Sequence, residues 1–303
     1  MNAVLIIDKP VGLTSHDVVN RARRILHERS IGHLGTLDPM ATGVLPLVTG
    51  NLTRLAQFYI ASEKTYEGTI RFGFATDTYD AEGDATTPRQ QVILRAEEVE
   101  AMAARFRGLI EQIPPPFSAK KIKGVPAYKL ARQQKEVVLK PVQVEIKEFE
   151  ILAVDADRAR FRARVASGTY MRSVAHDMGR ELACGAHLES LRRASVAEFN
   201  LEDAHTLEQV AEAAKDPDSL NDLFVHPRKL LPDFPSVTAD EPTVARIRSG
   251  RTVNLPELSR SRQVKVFSGQ RELIAIATRV AGTLFHAKIV LAAQPAEEVT
   301  RWE

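Results

Sequence analysis

Residues 32–45 form the segment that most restricts how this chain can fold: Gly-His-Leu-Gly-Thr-Leu-Asp-Pro-Met-Ala-Thr-Gly-Val-Leu. Three glycines and a proline in its first twelve residues argue against the interior of an ordinary helix or strand. Pro39 favours an extended backbone at Asp38, and the apolar residues Leu37, Val44 and Leu45 can fasten the segment to a core. The sequence therefore predicts a constrained loop that presents one carboxylate. An aspartate before proline is also common in structural turns, and the pattern alone leaves both interpretations open.

Composition sets the broad class of protein. The chain has 303 residues, 44% of them apolar, which suits one large domain or two smaller ones. Its single cysteine, Cys184, excludes an intramolecular disulfide and a cysteine-cluster metal site. The apolar stretch at the N-terminus is too short for a signal peptide, and no run approaches the ~20 residues that span a bilayer. We therefore expect a cytoplasmic protein with no membrane partner.

The pattern of strands and helices predicts the fold class. Val4–Ile7 and Tyr66–Phe74 are typical of strands, and Arg158–Val165 alternates as a half-buried antiparallel strand does. Capping residues predict a helix after Thr14 or Ser15 and another after Thr206, which forms a capping-box pattern with Gln209. Apolar spacing predicts further helices over residues 99–110 and 174–182. These elements do not alternate regularly, so we predict an α+β fold rather than a doubly wound sheet.

The composition changes near Leu231–Pro235, after which short β-rich runs are separated by Ser-Gly and Ala-Gly turns. We predict a first domain at 1–231 and a small β-barrel at 232–303.

Basic charge is concentrated in one segment that is bounded by proline. Residues 117–140 carry seven basic residues and one acidic residue, a net charge of +6, so the rest of the chain carries −4. Aromatic residues, Phe117 and Tyr128, are interleaved with the basic ones. The pattern fits an arm, at about 115–141, that contacts phosphates and stacks on bases, and it fits a solvated loop equally well.

Several motifs together resemble one enzyme family. The segment 32–45 resembles the catalytic motif of the TruB family, the bacterial tRNA pseudouridine-55 synthases, with Leu34 where threonine is more usual. Lys9-Pro10 and Lys64-Thr65-Tyr66 are similar to two further family motifs. Residues 168–172, Gly-Thr-Tyr-Met-Arg, are similar to another motif of the family, with Met171 in place of isoleucine. Residues 191–193, Leu-Arg-Arg, are similar to one more. The motifs span residues 9–193 in the order of the family.

The resemblance implies a fold and an activity. The fold is the pseudouridine synthase fold, a mixed but mainly antiparallel central sheet flanked by helices and loops, followed by a PUA-like RNA-binding barrel. The activity is the isomerisation of uridine-55 to pseudouridine in the TΨC stem-loop of tRNA. The reaction gains and loses no atoms, and the chain has no motif for phosphate, dinucleotide or zinc binding, so no cofactor and no metal are expected. The expected partner is tRNA; a guide RNA is not expected, and the chain is expected to be a monomer.

The resemblance also assigns roles. Asp38 is the candidate catalytic residue, by attack on C1′, addition at uracil C6, or removal of the C2′ proton, and the sequence does not choose among these routes. Arg172 would pair with Asp38 bidentately and lower the pKa of that carboxyl, with Asp80 as a second partner. Lys9 would support the Asp38 loop. The remaining site candidates are Tyr66 as the stacking platform and proton shuttle, and Tyr170 and Leu191 as the pocket lining.

The candidate RNA-binding residues lie around that site. His33 would enter the space that flipped bases leave, or would simply be bonded to the loop backbone. The other candidates are basic: Lys64, Lys120, Lys121, Lys123, Lys129 and Arg132.

Three other functions fit parts of the sequence. The chain could be an RNA chaperone that opens the tRNA elbow, alone or in addition to catalysis, which an inactive Asp38 variant would reveal. It could be a guide-dependent synthase of a ribonucleoprotein, against which stands the basic segment 117–140. It could be a metal-dependent nuclease that uses Asp38, Asp77, Asp80 and Asp84, which metal-independent activity would exclude.

Overall fold

A computed structural model describes residues 1–291 except 119, 123, 128, 129, 131, 132, 134–138 and 258, and gives only the backbone at 121, 122 and 126. The strands in this part of the chain are β1 (Val4–Lys9), β2 (Ile31–His33), β3 (Thr42–Thr49), β4 (Lys64–Phe72), β5 (Gly108–Gln112), β6 (Lys121–Ile122), β7 (Val125–Pro126), β8 (Val142–Asp155), β9 (Arg158–Val165), β10 (Ala186–Val196), β11 (Phe199–Asn200), β12 (Ser236–Ala239), β13 (Val253–Asn254), β14 (Gln263–Ser268), β15 (Glu272–Ala281) and β16 (Leu284–Val290). The α-helices are Ser15–Ile25, Ala56–Tyr59, Ala96–Arg105, Met171–Glu181, Leu207–Ala213, Pro217–Asp222 and Glu241–Arg248, with 3₁₀ turns at Gly50–Leu55, Leu201–Asp203 and Pro227–Lys229.

A large mixed sheet forms the centre of the molecule. Its strands run in the order β1-β3-β10-β4-β9-β8-β5, with β2 added to β3 and β11 added to β10. The pair β3–β10 is parallel and the other pairs are antiparallel. The main core cluster combines apolar side chains of this sheet with those of three helices, Ser15–Ile25, Ala96–Arg105 and Met171–Glu181. The predicted α+β class and mainly antiparallel sheet are confirmed.

Two helices begin where their capping residues predict. The Thr14 hydroxyl accepts a hydrogen bond from Asp17 N at 3.0 Å, and Asp17 Oδ2 accepts one from Thr14 N at 2.9 Å. Thr206 and Gln209 form the same reciprocal box. Each box satisfies two main-chain donors that the first turn of a helix leaves unpaired, which is why these helices begin there.

Two predictions about local structure are wrong. The constrained loop is shorter than the motif, because Gly32 lies in β2 and Gly43 in β3, and only the residues between these strands are irregular. The helix predicted over 99–110 ends at Arg105, and Ile110 lies in β5 opposite Val144 of β8. Gly108 has a φ of +87°, a left-handed conformation that favours glycine and turns the chain from helix into strand.

The C-terminal strands form a second sheet. It has the order β12-β14-β15-β16-β13 and curls into a half-barrel of PUA-like form. It shares a core cluster with the first sheet, to which it contributes Phe267, Leu273 and Ile276 and to which β1 contributes Val4 and Ile6. Lys265 is 2% exposed and donates from Nζ to the carbonyls of Arg228 at 2.9 Å and Leu230 at 2.6 Å, which anchors the sheet to the segment that precedes it. The domain boundary at 231/232 stays a prediction. In the described part of the chain, no helix combines the length and apolarity needed to cross a membrane.

Candidate active site

The Asp38 loop connects β2 to β3 and is held at several main-chain groups. Lys9, at the end of β1, is fully buried, and its Nζ donates to the carbonyls of Pro10 at 2.9 Å and Pro39 at 3.2 Å. Burial lowers the pKa of Lys9 to about 8, while the negative charge of Asp38 opposes this. Ser15 Oγ accepts from Leu37 N at 2.8 Å. The loop is therefore fixed on both sides of Asp38 by side chains from other elements.

A buried arginine, which the sequence analysis did not select as a site residue, holds the same loop. Arg193 of β10 is 0% exposed. Its guanidinium donates to the carbonyls of Gly35 at 3.0 Å, Thr36 at 3.3 Å and Val44 at 2.8 Å. Gly43 must be glycine here, because its φ is +99° and a Cβ would lie 2.3 Å from Arg193 O. Arg193 does lie in the Leu-Arg-Arg motif, which is the one signal in the sequence that could have pointed to it.

Arg172 lies at the centre of the site. It is the second residue of the helix Met171–Glu181, and its side chain is 5% exposed. Its Nε lies 2.9 Å from Asp38 Oδ2, and its Nη1 lies 3.4 Å from Asp80 Oδ2. Nη1 also donates to Thr78 O at 3.2 Å, and Nη2 donates to Phe117 O at 3.0 Å. The predicted bidentate pairing with Asp38 is wrong: one guanidinium nitrogen faces that carboxylate and the others hold Asp80 and two carbonyls.

Asp80 is itself held in place. Its Oδ1 accepts from Thr78 Oγ1 at 2.6 Å and from Glu82 N at 3.1 Å, and the carboxylate is 5% exposed. An isolated parallel β-bridge between the backbones of Asp80 and Leu188 attaches the Asp80 loop to the central sheet. Asp80 therefore presents a fixed negative charge to Arg172.

The charge balance at Asp38 differs from the prediction. Burial raises the pKa of the Asp38 carboxyl above its ordinary 3.8, and the Asp80 carboxylate raises it further. The cations Arg172 and Lys9 lower the pKa of Asp38 but do not reverse the net direction. The pKa of Glu82 is raised by its burial and then by the negative charges of Asp80 and Asp38. Asp38 is therefore a more basic carboxylate than one in water.

Asp80→Asn tests this balance. A reaction that needs ionised Asp38 loses rate as the pH falls through the pKa of Asp38. This fall in kcat at low pH, the acid limb of the pH profile, should lie above pH 3.8, the ordinary pKa of an aspartate, in the wild type. Removing the Asp80 charge lowers the pKa of Asp38, and the limb should move to lower pH even if kcat itself falls about tenfold. The measurement is the pH profile of single-turnover product formation. An acid limb that moves to higher pH would contradict the assigned charges.

Tyr66 and Leu191 lie on the neighbouring strands β4 and β10, close in register to Arg193. In the β4–β10 pair, Tyr66 lies opposite Arg193 and Leu191 lies opposite Gly68. A register irregularity between Leu188 and Ser190 shifts the alternation of β10, so that a buried Leu188 is followed by a buried Leu191 rather than residue 190. Leu191 also lines an open groove of about 550 Å³ with Met40 and Glu82. Tyr66 is 9% exposed, so most of its ring is covered.

Tyr170 precedes Arg172 at the start of the same helix and is half-buried. Burial raises the pKa of its phenol. The structure thus collects Asp38, Arg172, Asp80 and Lys9 in direct contact or electrostatic range. It places Tyr170 immediately before the helix that carries Arg172.

The predicted RNA-binding residues are more scattered. His33 lies at the end of β2, and its Nδ1 accepts from Gly35 N at 3.3 Å, which is the backbone-bonded alternative. Burial lowers the pKa of His33, which favours the neutral ring that can accept this bond. Lys64 is half-buried, and burial lowers its pKa to about 8. Lys120 is exposed and Lys121 lies in β6, whereas Lys123, Lys129 and Arg132 lie outside the described residues.

The four aspartates of the nuclease hypothesis do not form a metal site. Among the described residues, no group of three or more His, Cys, Asp or Glu side chains is placed to hold a metal ion. Asp77 is exposed, and its Oδ1 accepts from Asp84 N at 2.9 Å within their own loop. Asp38 and Asp80 instead share Arg172.

Comparison with known proteins places the chain in a family. Residues 23–171 match the model "TruB family pseudouridylate synthase (N terminal domain)", and residues 172–228 match the model "tRNA pseudouridylate synthase B C-terminal domain". The tRNA pseudouridine synthase B of Solibacter usitatus is 50% identical over 96% of this chain and 100% of its own length. That of Burkholderia lata is 40% identical over 96% of this chain and 89% of its own length. The chain belongs to the TruB family.

Solved structures support the fold. A chain in "Structure of H/ACA RNP bound to a substrate RNA containing 2'-deoxyuridine" has a TM-score of 0.72 at 22% identity, covering 96% of this chain and 85% of that chain. One in "Crystal Structure of a Cbf5-Nop10-Gar1 Complex" has a TM-score of 0.70 at 24% identity, with the same coverage. The predicted pseudouridine synthase fold and the predicted TruB resemblance are confirmed.

Proposed function

We propose that this TruB-family chain is a tRNA pseudouridine synthase that converts uridine-55 of the TΨC loop to pseudouridine, with Asp38 as the catalytic carboxylate. The observation that carries the proposal is the 2.9 Å contact between Arg172 Nε and Asp38 Oδ2 in a loop fixed by Lys9, Ser15 and Arg193. Relatives named tRNA pseudouridine synthase B that share 50% and 40% of their aligned residues with this chain support the choice of substrate.

The arrangement matches what the isomerisation needs. The C1′–N1 bond breaks, a C1′–C5 bond forms, C5 loses a proton and N1 gains one, so the reaction balances without an added reactant. A carboxylate with one oxygen directed at Arg172 keeps its other oxygen available, as attack on C1′, addition at C6 and removal of the C2′ proton all require. The side chain of Asp38 is 36% exposed, so RNA can reach it. Tyr66 would stack on the flipped uracil, and Tyr170 and Leu191 would line its pocket.

The proposal includes how the chain works. It acts in the cytoplasm as a monomer on tRNA without a guide RNA, and His33, Lys64 and the basic segment at about 115–141 contact the RNA. The net charge of +6 in residues 117–140 supports direct RNA binding. The half-barrel at the C-terminus is proposed to bind RNA as well.

The experiment is a reaction of the purified chain with an unmodified tRNA transcript, without guide RNA and with a chelator present. Carbodiimide-dependent stops in primer extension locate pseudouridine. We expect a stop one nucleotide 3′ of position 55 in this transcript, and none in a matched transcript with cytidine-55. Intact tRNA without pseudouridine would contradict the proposal, and cleavage of tRNA in a parallel reaction without chelator would favour the nuclease instead.

The basic segment gives a separate prediction. Lys120→Ala combined with Lys121→Ala should raise the KM for tRNA about 3- to 10-fold and leave kcat within about twofold, because phosphate contacts bind RNA without touching the reacting base. Each lost contact should make the dependence of log(kcat/KM) on log[salt] shallower by about 0.7–0.9. Lys215→Ala is the control, since Lys215 is exposed and paired with Glu212. An unchanged KM and salt slope would exclude these two lysines from RNA binding.

A further inference from the structure

The end of β5 meets the start of the helix Met171–Glu181, which carries Arg172. Gln112, the last residue of β5, is 1% exposed. Its Nε2 donates to Tyr170 O at 3.1 Å, and its Oε1 accepts from Tyr170 N at 2.8 Å. A carboxamide carries a donor nitrogen and an acceptor oxygen, so one side chain can bond both main-chain groups of the same residue. The position of the Tyr170 backbone is therefore set by Gln112.

Two more hydrogen bonds join the same segments. Ser173 Oγ donates to Ile113 O at 2.7 Å, and Arg172 Nη2 donates to Phe117 O at 3.0 Å. Tyr170 is the residue that precedes the helix, and its own side chain caps no main-chain group there. The placement of the first turn of this helix thus depends on residues 112–117, and Gln112 contributes two of the four bonds.

We infer that Gln112 is a positioning residue of the synthase: it holds Tyr170, and through the helix start the Arg172 guanidinium, where that guanidinium meets Asp38. The inference rests on the proposed function. Gln112 is too buried to touch RNA, so it acts through these neighbours. Misplacement of a catalytic group by about 1 Å costs about 10²-fold in rate, which is the size of effect that a loosened helix start can produce.

The first variant is Gln112→Met, which keeps the length of the side chain and removes both hydrogen bonds. The second is Gln112→Asn, which keeps the amide but shortens the side chain by one methylene, so that the amide lies further from Tyr170. The matched control is Gln143→Met on the adjacent strand β8, where Gln143 is exposed and lies opposite Glu111. We expect kcat to fall about 10- to 100-fold in Gln112→Met, and less in Gln112→Asn, while the KM for tRNA stays within about twofold. Gln143→Met should match the wild type.

Two readouts separate positioning from simple folding. The acid limb of kcat in Gln112→Met should move to higher pH, because a displaced Arg172 no longer opposes the effects of burial and Asp80 on the pKa of Asp38. Amide hydrogen exchange over residues 170–176 should be faster than in the control, and this can be measured even if the chain makes no pseudouridine. Wild-type kcat and exchange in a folded Gln112→Met would overturn the inference. So would a lower kcat with an unmoved acid limb, which would indicate only a loss of stability.

Discussion

Asp38→Ala is expected to abolish pseudouridine formation, with kcat at least ~10³-fold below the wild type, because all three open routes place the Asp38 carboxylate on the reacting atoms. Asp38→Asn should be as inactive, since it keeps the size of the side chain and removes its charge. The Kd for tRNA should stay within about threefold in both variants. The measurement is single-turnover formation of pseudouridine in a tRNA transcript, together with tRNA binding by filter retention.

The matched control is Asp77→Asn, which removes an exposed carboxylate from a neighbouring loop. It should retain activity near that of the wild type. Normal product from Asp38→Ala would show that the catalytic group lies elsewhere. The same inactive variant separates catalysis from chaperoning: if it still refolds misfolded tRNA at the wild-type rate, the chain has both activities.

Arg172→Lys is expected to have the second largest effect. The guanidinium contacts Asp38, Asp80, Thr78 O and Phe117 O from a buried position, and an ammonium has no planar fork with which to reach all four. We expect kcat to fall about 10²-fold or more, and the free energy of unfolding to fall by about 1–3 kcal/mol as buried acceptors lose their donor. Arg180→Lys, at an exposed position on the same helix, is the control.

Urea denaturation and single-turnover kinetics measure the two effects separately. Near-normal turnover by Arg172→Lys would show that one positive charge suffices and that the four contacts are not needed for catalysis. A loss of stability without a loss of rate in the folded variant would make Arg172 a structural residue only.

The sequence predicted the local structure correctly wherever that structure depends on interactions between residues close together in the chain. The boxes at Thr14 and Thr206 start their helices as predicted, because a cap needs only the residue and its third neighbour. The segment 158–165 is a strand with its alternate residues buried, as its period of two predicts. Ile110 fitted a helical period equally well, and only Gly108 and the pairing with β8 decided against it.

The candidate active site is held together by contacts between residues far apart in the chain, which the sequence could not predict. Lys9 and Arg193 hold a loop about 30 and 155 residues away along the chain, through carbonyl groups that every residue possesses, so no side-chain pattern marks these bonds. Gln112 has no motif of its own. The register irregularity at Leu188 and Ser190 decides which residues of β10 are buried, and the sequence alone gives no such shift.

The sequence by itself determined the family and the candidate site residues, because the long motif at residues 32–45 is specific and the motifs around Tyr66 and Arg172 follow it in the order of the family. Only the tertiary structure decided the charge environment of the catalytic candidate. Arg172 next to Asp38 predicts a lowered pKa for that carboxyl, whereas burial and the Asp80 carboxylate together raise it. Burial and proximity are properties of the packed fold, and they act on a pKa through desolvation and Coulomb energy that no linear order of residues contains.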